Sequence, residues 1–198
     1  RVKVMRAVGA DLPGLSRKSI ERRPHPPGQH GLRRIGIRRS DYGTQLTEKQ
    51  KLRLNYGLTE RQLRRAVVEA RASRMPTGEK LVELLERRLD NVVFRSGFAP
   101  TIPAARQLIR HRHTLLNGRR VSIPSIRVHA GDMIAPRDAS GEHSAIVDAL
   151  QSPPLERPEW IAFDASRREA RVAHLPGGDA APFPVDLQQV VEYYAKRI

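Results

Sequence analysis

Between positions 45 and 110, apolar residues recur mostly at helical spacing, and they do so again near the end of the chain. Gln45 to Tyr56 reads as a helix, with Ser40 or Thr44 near its start and Gly57 as its stop. Thr59-Glu60-Arg61-Gln62 has capping-box spacing and opens a second helix to about Ser73. Pro76-Thr77-Gly78 then breaks the chain. From Glu79, the residues Leu81, Leu84, Leu85, Leu89 and Val92 keep one helical stripe as far as Gly97. Thr101 caps a fourth helix, with Pro103 tolerated in its first turn. In that helix Ala105, Leu108 and Ile109 face inward, so Arg106 and Arg110, four apart, are expected outward together. Asp186 caps a last helix, Leu187–Lys196, after the breaks at Pro182 and Pro184.

The pattern changes after position 113. Thr114-Leu115-Leu116, Asn117-Gly118 and Arg119-Arg120-Val121 form a hairpin signal, because both central residues of a type I′ turn need positive φ. Strands are expected near Arg127–Val128 and Met133–Ala135, with a further pair at Trp160–Phe163 and Ala170–His174. Residues 1–43 hold Pro13, Pro24, Pro26 and Pro27 and show no sustained helical period. Such a segment is either disordered or ordered by what it binds. The turn residues Pro26 to Gly31 specify a stiff entry into tight turns.

Charge sharpens this picture. The chain of 198 residues carries a formal net charge of +15. Residues 1–80 hold 20 Lys and Arg against 7 acids, whereas residues 151–198 hold 6 against 7. Between positions 17 and 39, Arg17, Lys18, Arg22, Arg23, Arg33, Arg34, Arg38 and Arg39 face a single acid, Glu21. A second group, Arg87, Arg88, Arg95, Arg106, Arg110, Arg112, Arg119 and Arg120, falls on two short helices and the hairpin, with Gln107, His111, His113 and Asn117 beside them. Guanidinium forks bind phosphates bidentately and stack on bases, so the one-sided charge points to a polyanion. Nucleic acid fits first and an anionic membrane surface second.

Several chemistries lack their residues. The absence of cysteine excludes a disulfide scaffold, a Cys-ligated zinc and a thiol nucleophile. His111 and His113 share a strand face, but no third or fourth ligand accompanies them, so no metal and no cofactor is expected. There is no Gly-Lys-Ser/Thr phosphate loop and no nucleophile elbow. No apolar run reaches the roughly 18 residues of a membrane span, and no signal-peptide pattern opens the sequence. A soluble, intracellular protein without catalytic residues is the expectation.

The stretch Leu85-Glu86-Arg87-Arg88-Leu89-Asp90-Asn91-Val92-Val93, then Ala105-Arg106-Gln107-Leu108, His111, His113, Leu116-Asn117-Gly118 and Ile123-Pro124-Ser125, resembles the RNA-binding module of the ribosomal protein S4 family. Pro26 to Gly31, Ser40-Asp41-Tyr42-Gly43, Glu48 to Arg53 and Val191-Glu192-Tyr193-Tyr194 resemble the full-length bacterial family in the same order. The resemblance implies an α+β chain: a basic extended arm over 1–43, a small helical domain over 44–79 completed by the helix of 185–198, and an inserted RNA-binding module with an antiparallel sheet over 80–184. It implies a structural constituent of the cytoplasmic small ribosomal subunit that binds the 5′ domain of the rRNA, nucleates assembly of the subunit body and contributes to translational accuracy. Neighbouring ribosomal proteins are the implied protein partners, and some family members repress their own mRNA. Charge and resemblance together select Arg17, Lys18, Arg22, Arg23, His30, Arg33 and Arg34 in the arm as RNA-contact candidates, and Lys49, Lys51 and Arg53 in the first helix. In the module they select Arg87, Arg88, Asn91, Arg95, Arg106, Gln107, Arg110, His111, His113, Asn117, Gly118 and Arg119.

The chain departs from the family at a few points. It lacks the zinc-binding cysteines of some relatives, and Arg112 stands where relatives often have glycine. Leu63 and Ala66 replace aromatics, and Ile126 replaces a frequent tyrosine. Arg88-Leu89-Asp90 is similar to a pseudouridine synthase motif, but no room for a catalytic domain remains, so Asp90 is read as a surface partner that orients Arg87 or Arg95. The rival readings are an RNA-modifying enzyme and an indiscriminate polyanion binder.

Overall fold

The computed structural model describes residues 1–34, 40–137, 144–195 and 197. Among these, eight α-helices and five strands occur. The helices are α1 (Val2–Val8), α2 (Asp41–Asn55), α3 (Glu60–Arg71), α4 (Thr77–Glu86), α5 (Leu89–Arg95), α6 (Ile102–Arg110), α7 (Ser144–Gln151) and α8 (Leu187–Ala195). The strands are β1 (Thr114–Leu116), β2 (Arg119–Arg120), β3 (Met133–Pro136), β4 (Ile161–Asp164) and β5 (Glu169–Val172), in one antiparallel sheet of order β2-β1-β3-β5-β4. The fold is therefore α+β. The chain divides into one compact unit of residues 1–81 with 181–198 and another of residues 82–180.

In the first unit α2 starts at Asp41, four residues before the expected Gln45, because Ser40 rather than Thr44 is its cap, and the ends expected at Thr59 and Asp186 are capped as read. Ser40 Oγ accepts from Gly43 N at 3.2 Å, and Thr59 and Gln62 close a reciprocal capping box. Asp186 accepts from Gln189 N at 3.1 Å to cap α8, and its own N–H donates to Glu48 of α2 at 3.0 Å. Leu52, Tyr56, Leu63, Val67, Val190 and Tyr194 form the apolar centre. The first residues of the chain belong to it as well. Val2–Val8 is a short helix whose Met5 is fully buried, Leu12 is fully buried beyond it, and Gly14 N donates to Asn55 at 2.9 Å. One inward residue per seven leaves no period to read, which is why the helix was not visible in the sequence.

In the second unit, the stripe expected as one helix from Glu79 to Gly97 is two helices. Arg88 is extended (φ −68°, ψ 135°), and the freed N–H groups at the start of α5 are satisfied from far along the chain. Leu89 N donates to Ile126 O at 2.8 Å and Asp90 N to Pro124 O at 3.0 Å, while Val128 N donates back to Arg87 O at 2.9 Å. The strand expected at Arg127–Val128 is this same connection, with Arg127 bridged singly to Arg88. Local periodicity cannot report a break made by partners nearly forty residues away. Helix α7, unforeseen, has only Ile146 and Ala149 buried, too few for a periodic signal. The turn at Asn117 and Gly118 has φ of 51° and 74°, as a type I′ hairpin requires.

Candidate nucleic-acid interface

The second unit buries three carboxylates, Glu83, Glu86 and Asp90, in the α4–α5 region, and arginines answer each of them. Arg87 Nη1 lies 3.0 Å from Glu83 Oε1, and Arg87 Nε donates to Val128 O at 2.9 Å. Arg95 Nε lies 3.5 Å from Glu86 Oε2, and Asn91 Nδ2 donates to the same carboxylate at 2.9 Å. Asp90, 1 % exposed, accepts from Arg88 Nη2 at 2.9 Å and from Arg106 Nε at 2.7 Å. A buried charge demands such partners, because an unpaired one is far costlier than the pair. Asp90 is thus an interior anchor for Arg88 and Arg106, which corrects the expectation of a surface acid beside Arg87 or Arg95. Arg106 is drawn inward and does not stand out with Arg110. Asn91 and Arg95 are buried outright.

What remains exposed is concentrated between the end of α6 and the hairpin. Gln107, Arg110, His111, Arg112, Asn117, Gly118, Arg119 and Arg120 are exposed, and His113 is half-buried. No Asp or Glu occurs from residue 91 to residue 131. Arg110, Arg112, Arg119 and Arg120 pair with no acid among the described residues. The turn that presents Arg119 is held firmly. Asn117 donates from Nδ2 to Asp132 at 2.8 Å and accepts from Met133 N at 2.8 Å, so its side chain fixes the hairpin against β3. Asp132, which also accepts from His129 N at 2.7 Å, was not singled out from the sequence.

The backbone at Arg112 is strained. Helix α6 ends with Arg112 N donating to Ile109 O and His113 N to Leu108 O, both at 2.9 Å, and Arg112 adopts φ 60°. Helices α2 and α5 end in the same two-bond motif, but with Gly57 (φ 57°) and Gly97 (φ 89°) at the equivalent place. Of these three helix ends, the one at the basic surface alone gives the left-handed position to a residue with a side chain.

Residues 1–86 match the family described as ribosomal protein S4/S9 N-terminal domain, and residues 87–134 match the S4 domain. The chain is 62 % identical over 198 residues to small ribosomal subunit protein uS4 of Methylobacillus flagellatus, covering all of this chain and 97 % of that one. It is 58 % identical to uS4B of Nitrosomonas europaea over the same span, again with 97 % of the relative covered. It is 46 % identical to uS4 of Chlorobaculum tepidum over 195 residues, 98 % of this chain and 96 % of that one. The chain belongs to the uS4 family of small ribosomal subunit proteins. That family is structural and non-enzymatic, and the cysteine-free sequence fits its zinc-free type.

The first unit separates its candidates in the same way. Arg17, Lys18, Arg22, Arg23, His30 and Arg33 are exposed along the turns that follow α1. Those turns are built: Asp11 accepts from Ser19 Oγ at 2.8 Å and from Ile20 N at 2.9 Å, and a Cβ on Gly31 would collide with the Pro26 carbonyl. The Arg34 side chain, Arg38 and Arg39, and Lys196 of the last expected helix lie outside the described residues. Lys49, by contrast, is buried, 2.8 Å from Glu60 Oε2 and 4.9 Å from the centre of the Tyr193 ring. Burial raises the Glu60 pKa, but the Lys49 and Tyr194 hydrogen bonds outweigh it and hold the carboxyl below its ordinary range. Burial, and donation to Glu60 at 2.6 Å, push the Tyr194 hydroxyl pKa up. Lys51 is taken by Glu48 at 2.7 Å and Arg53 by Gln50 at 2.7 Å.

Among the described residues no helix is long and apolar enough to cross a membrane, and no three metal-ligating side chains gather. Sequence reasoning left Arg112 and Arg120 out of its candidate set. The signal for Arg112 was a side chain at a glycine-favouring position, and for Arg120 its place in the acid-free stretch.

Proposed function

We propose that this chain is a structural constituent of the small ribosomal subunit in the cytoplasm, where it binds the 5′ domain of the rRNA. The observation that carries the reading is the arginine-rich region from residue 87 to 131, acid-free from residue 91 on, which contains a carboxylate-paired set (Arg87, Arg88, Arg95 and Arg106) and an exposed set (Arg110, Arg112, Arg119 and Arg120). Arg110, Arg112, Arg119 and Arg120 are the phosphate contacts of the module, with Gln107, His111 and His113 between them. Arg17, Lys18, Arg22, Arg23, His30 and Arg33 are those of the arm. Arg87, Arg88, Arg95 and Arg106 act on RNA through the positions they hold rather than by contact. Such surfaces suit folded RNA, which proteins recognise through shape, phosphate and unpaired bases.

Family membership supports the further reading that the protein binds early, nucleates the subunit body, and contributes to translational accuracy through a neighbouring ribosomal protein. Repression of its own message would use the same surfaces. The test is binding of the full chain to a transcript of the small-subunit 5′ domain in the presence of excess bulk transfer RNA. Retention of the transcript is expected. Its displacement by transfer RNA would leave an indiscriminate polyanion binder instead.

A further inference from the structure

A groove of about 140 Å³ opens between α6, the entry to β1 and the first turn of α7, lined by Pro100, Ala104, Gln107, Leu108, His111 and His113, with Ala145 completing it. Resting on the reading above, we propose that this groove receives one unstacked nucleobase of the bound RNA. Its size is well below the roughly 300–1,000 Å³ of cofactor and small-molecule pockets, so it suits one planar ring and no more. Apart from Gln107 its walls are apolar or imidazole, and the His111 and His113 ring centres lie 6.1 Å apart at 44°, offering π faces on which a base can stack. The Gln107 carboxamide is exposed and makes no hydrogen bond among the described residues. It carries a donor and an acceptor side by side, the pattern that reads a base edge.

Charge selects the occupant. Arg110 and Arg112 flank His111 in the chain, both exposed and without an acid partner among the described residues, so guanidinium groups are at hand for the phosphates of a ring entering here. An apolar protein side chain would fill the walls but leave that charge unanswered. The left-handed backbone at Arg112 is consistent with this use. Of the three helix ends built on this motif, the one beside the groove alone carries a side chain in the left-handed region.

The experiment uses the full chain and a transcript of the small-subunit 5′ domain. Ala104→Trp fills the groove and Gln107→Ala removes the edge partner, and neither alters charge. At fixed salt, Ala104→Trp is expected to weaken binding about five- to a hundred-fold, the range for loss of one stacked base, and Gln107→Ala by several-fold. The slope of log affinity against log salt should stay at the wild-type value in both, because the phosphate contacts remain. Ultraviolet crosslinking of the wild-type complex should place a nucleotide adduct on residues 107–113, and Ala104→Trp should lose it. Folded variants that bind as tightly as wild type would overturn the groove proposal, and the basic surface would still stand. Wild type that shows no salt-dependent binding would overturn both. If Ala104→Trp fails to fold, wild-type affinity in Gln107→Ala together with no adduct on residues 107–113 in the wild-type complex is the overturning result.

Discussion

Arg106 reaches sixteen residues back along the chain to Asp90, with its Nε 2.7 Å from Oδ2, and this contact ties α6 to α5. The same carboxylate holds Arg88 at 2.9 Å. One buried acid therefore orders two of the arginines that charge alone would assign to RNA. Asp90→Ala should destabilise the protein by about 3 kcal/mol or more, since a buried carboxylate shared by two guanidinium groups is removed at once. Arg110→Ala, on the exposed side of the same helix, should stay within about 0.5 kcal/mol of wild type. Denaturant unfolding monitored by circular dichroism separates the two, and equal midpoints would contradict the interior role of Asp90.

Arg112→Gly should stabilise the fold, because glycine occupies the left-handed region without the steric cost of a Cβ. A gain of about 1 kcal/mol corresponds to a rise of about 2–4 °C in Tm for a chain of this size. RNA affinity should fall in the same variant, as one phosphate contact is lost. A variant that is both less stable and equally tight in binding would show that the side chain serves packing.

Acid should loosen the first unit through Glu60. Its folded-state pKa lies below the ordinary value of 4.5, so its stabilising contribution is complete above that value. The contribution is lost as pH falls below 4.5 and through the depressed folded value. Glu60→Gln should remove this part of the acid dependence, giving a flatter stability profile below pH 4.5. Urea titrations at a series of pH values read the difference, and parallel profiles for the two proteins would exclude the Lys49–Glu60–Tyr194 cluster as its source.

Much of the fold is written locally. Ser40, Thr59, Thr101 and Asp186 cap the helices that their spacing announces, and Asn117-Gly118 makes the turn that only positive φ allows. The break at Arg88 is illegible because its hydrogen bonds come from residues 124–128, and α1 because it buries one methionine per two turns. At the candidate interface the sequence located the arginine-rich region but could not sort it. Sorting required knowing that Glu83, Glu86 and Asp90 lie inside, and the only local sign was that Glu83 and Glu86 sit among leucines and a valine. Charge counts see residues, whereas burial decides which charges are already answered.

The central claim is that the exposed arginines beside α6 and in the hairpin neutralise rRNA phosphates. Its most direct test compares log affinity against log salt for wild type and an Arg110→Gln/Arg119→Gln double variant, using the small-subunit 5′ domain transcript. Each lost phosphate contact should lower the slope by about 0.7–0.9, so the double variant should be shallower by about 1.4–1.8. An unchanged slope in a folded double variant would contradict the claim.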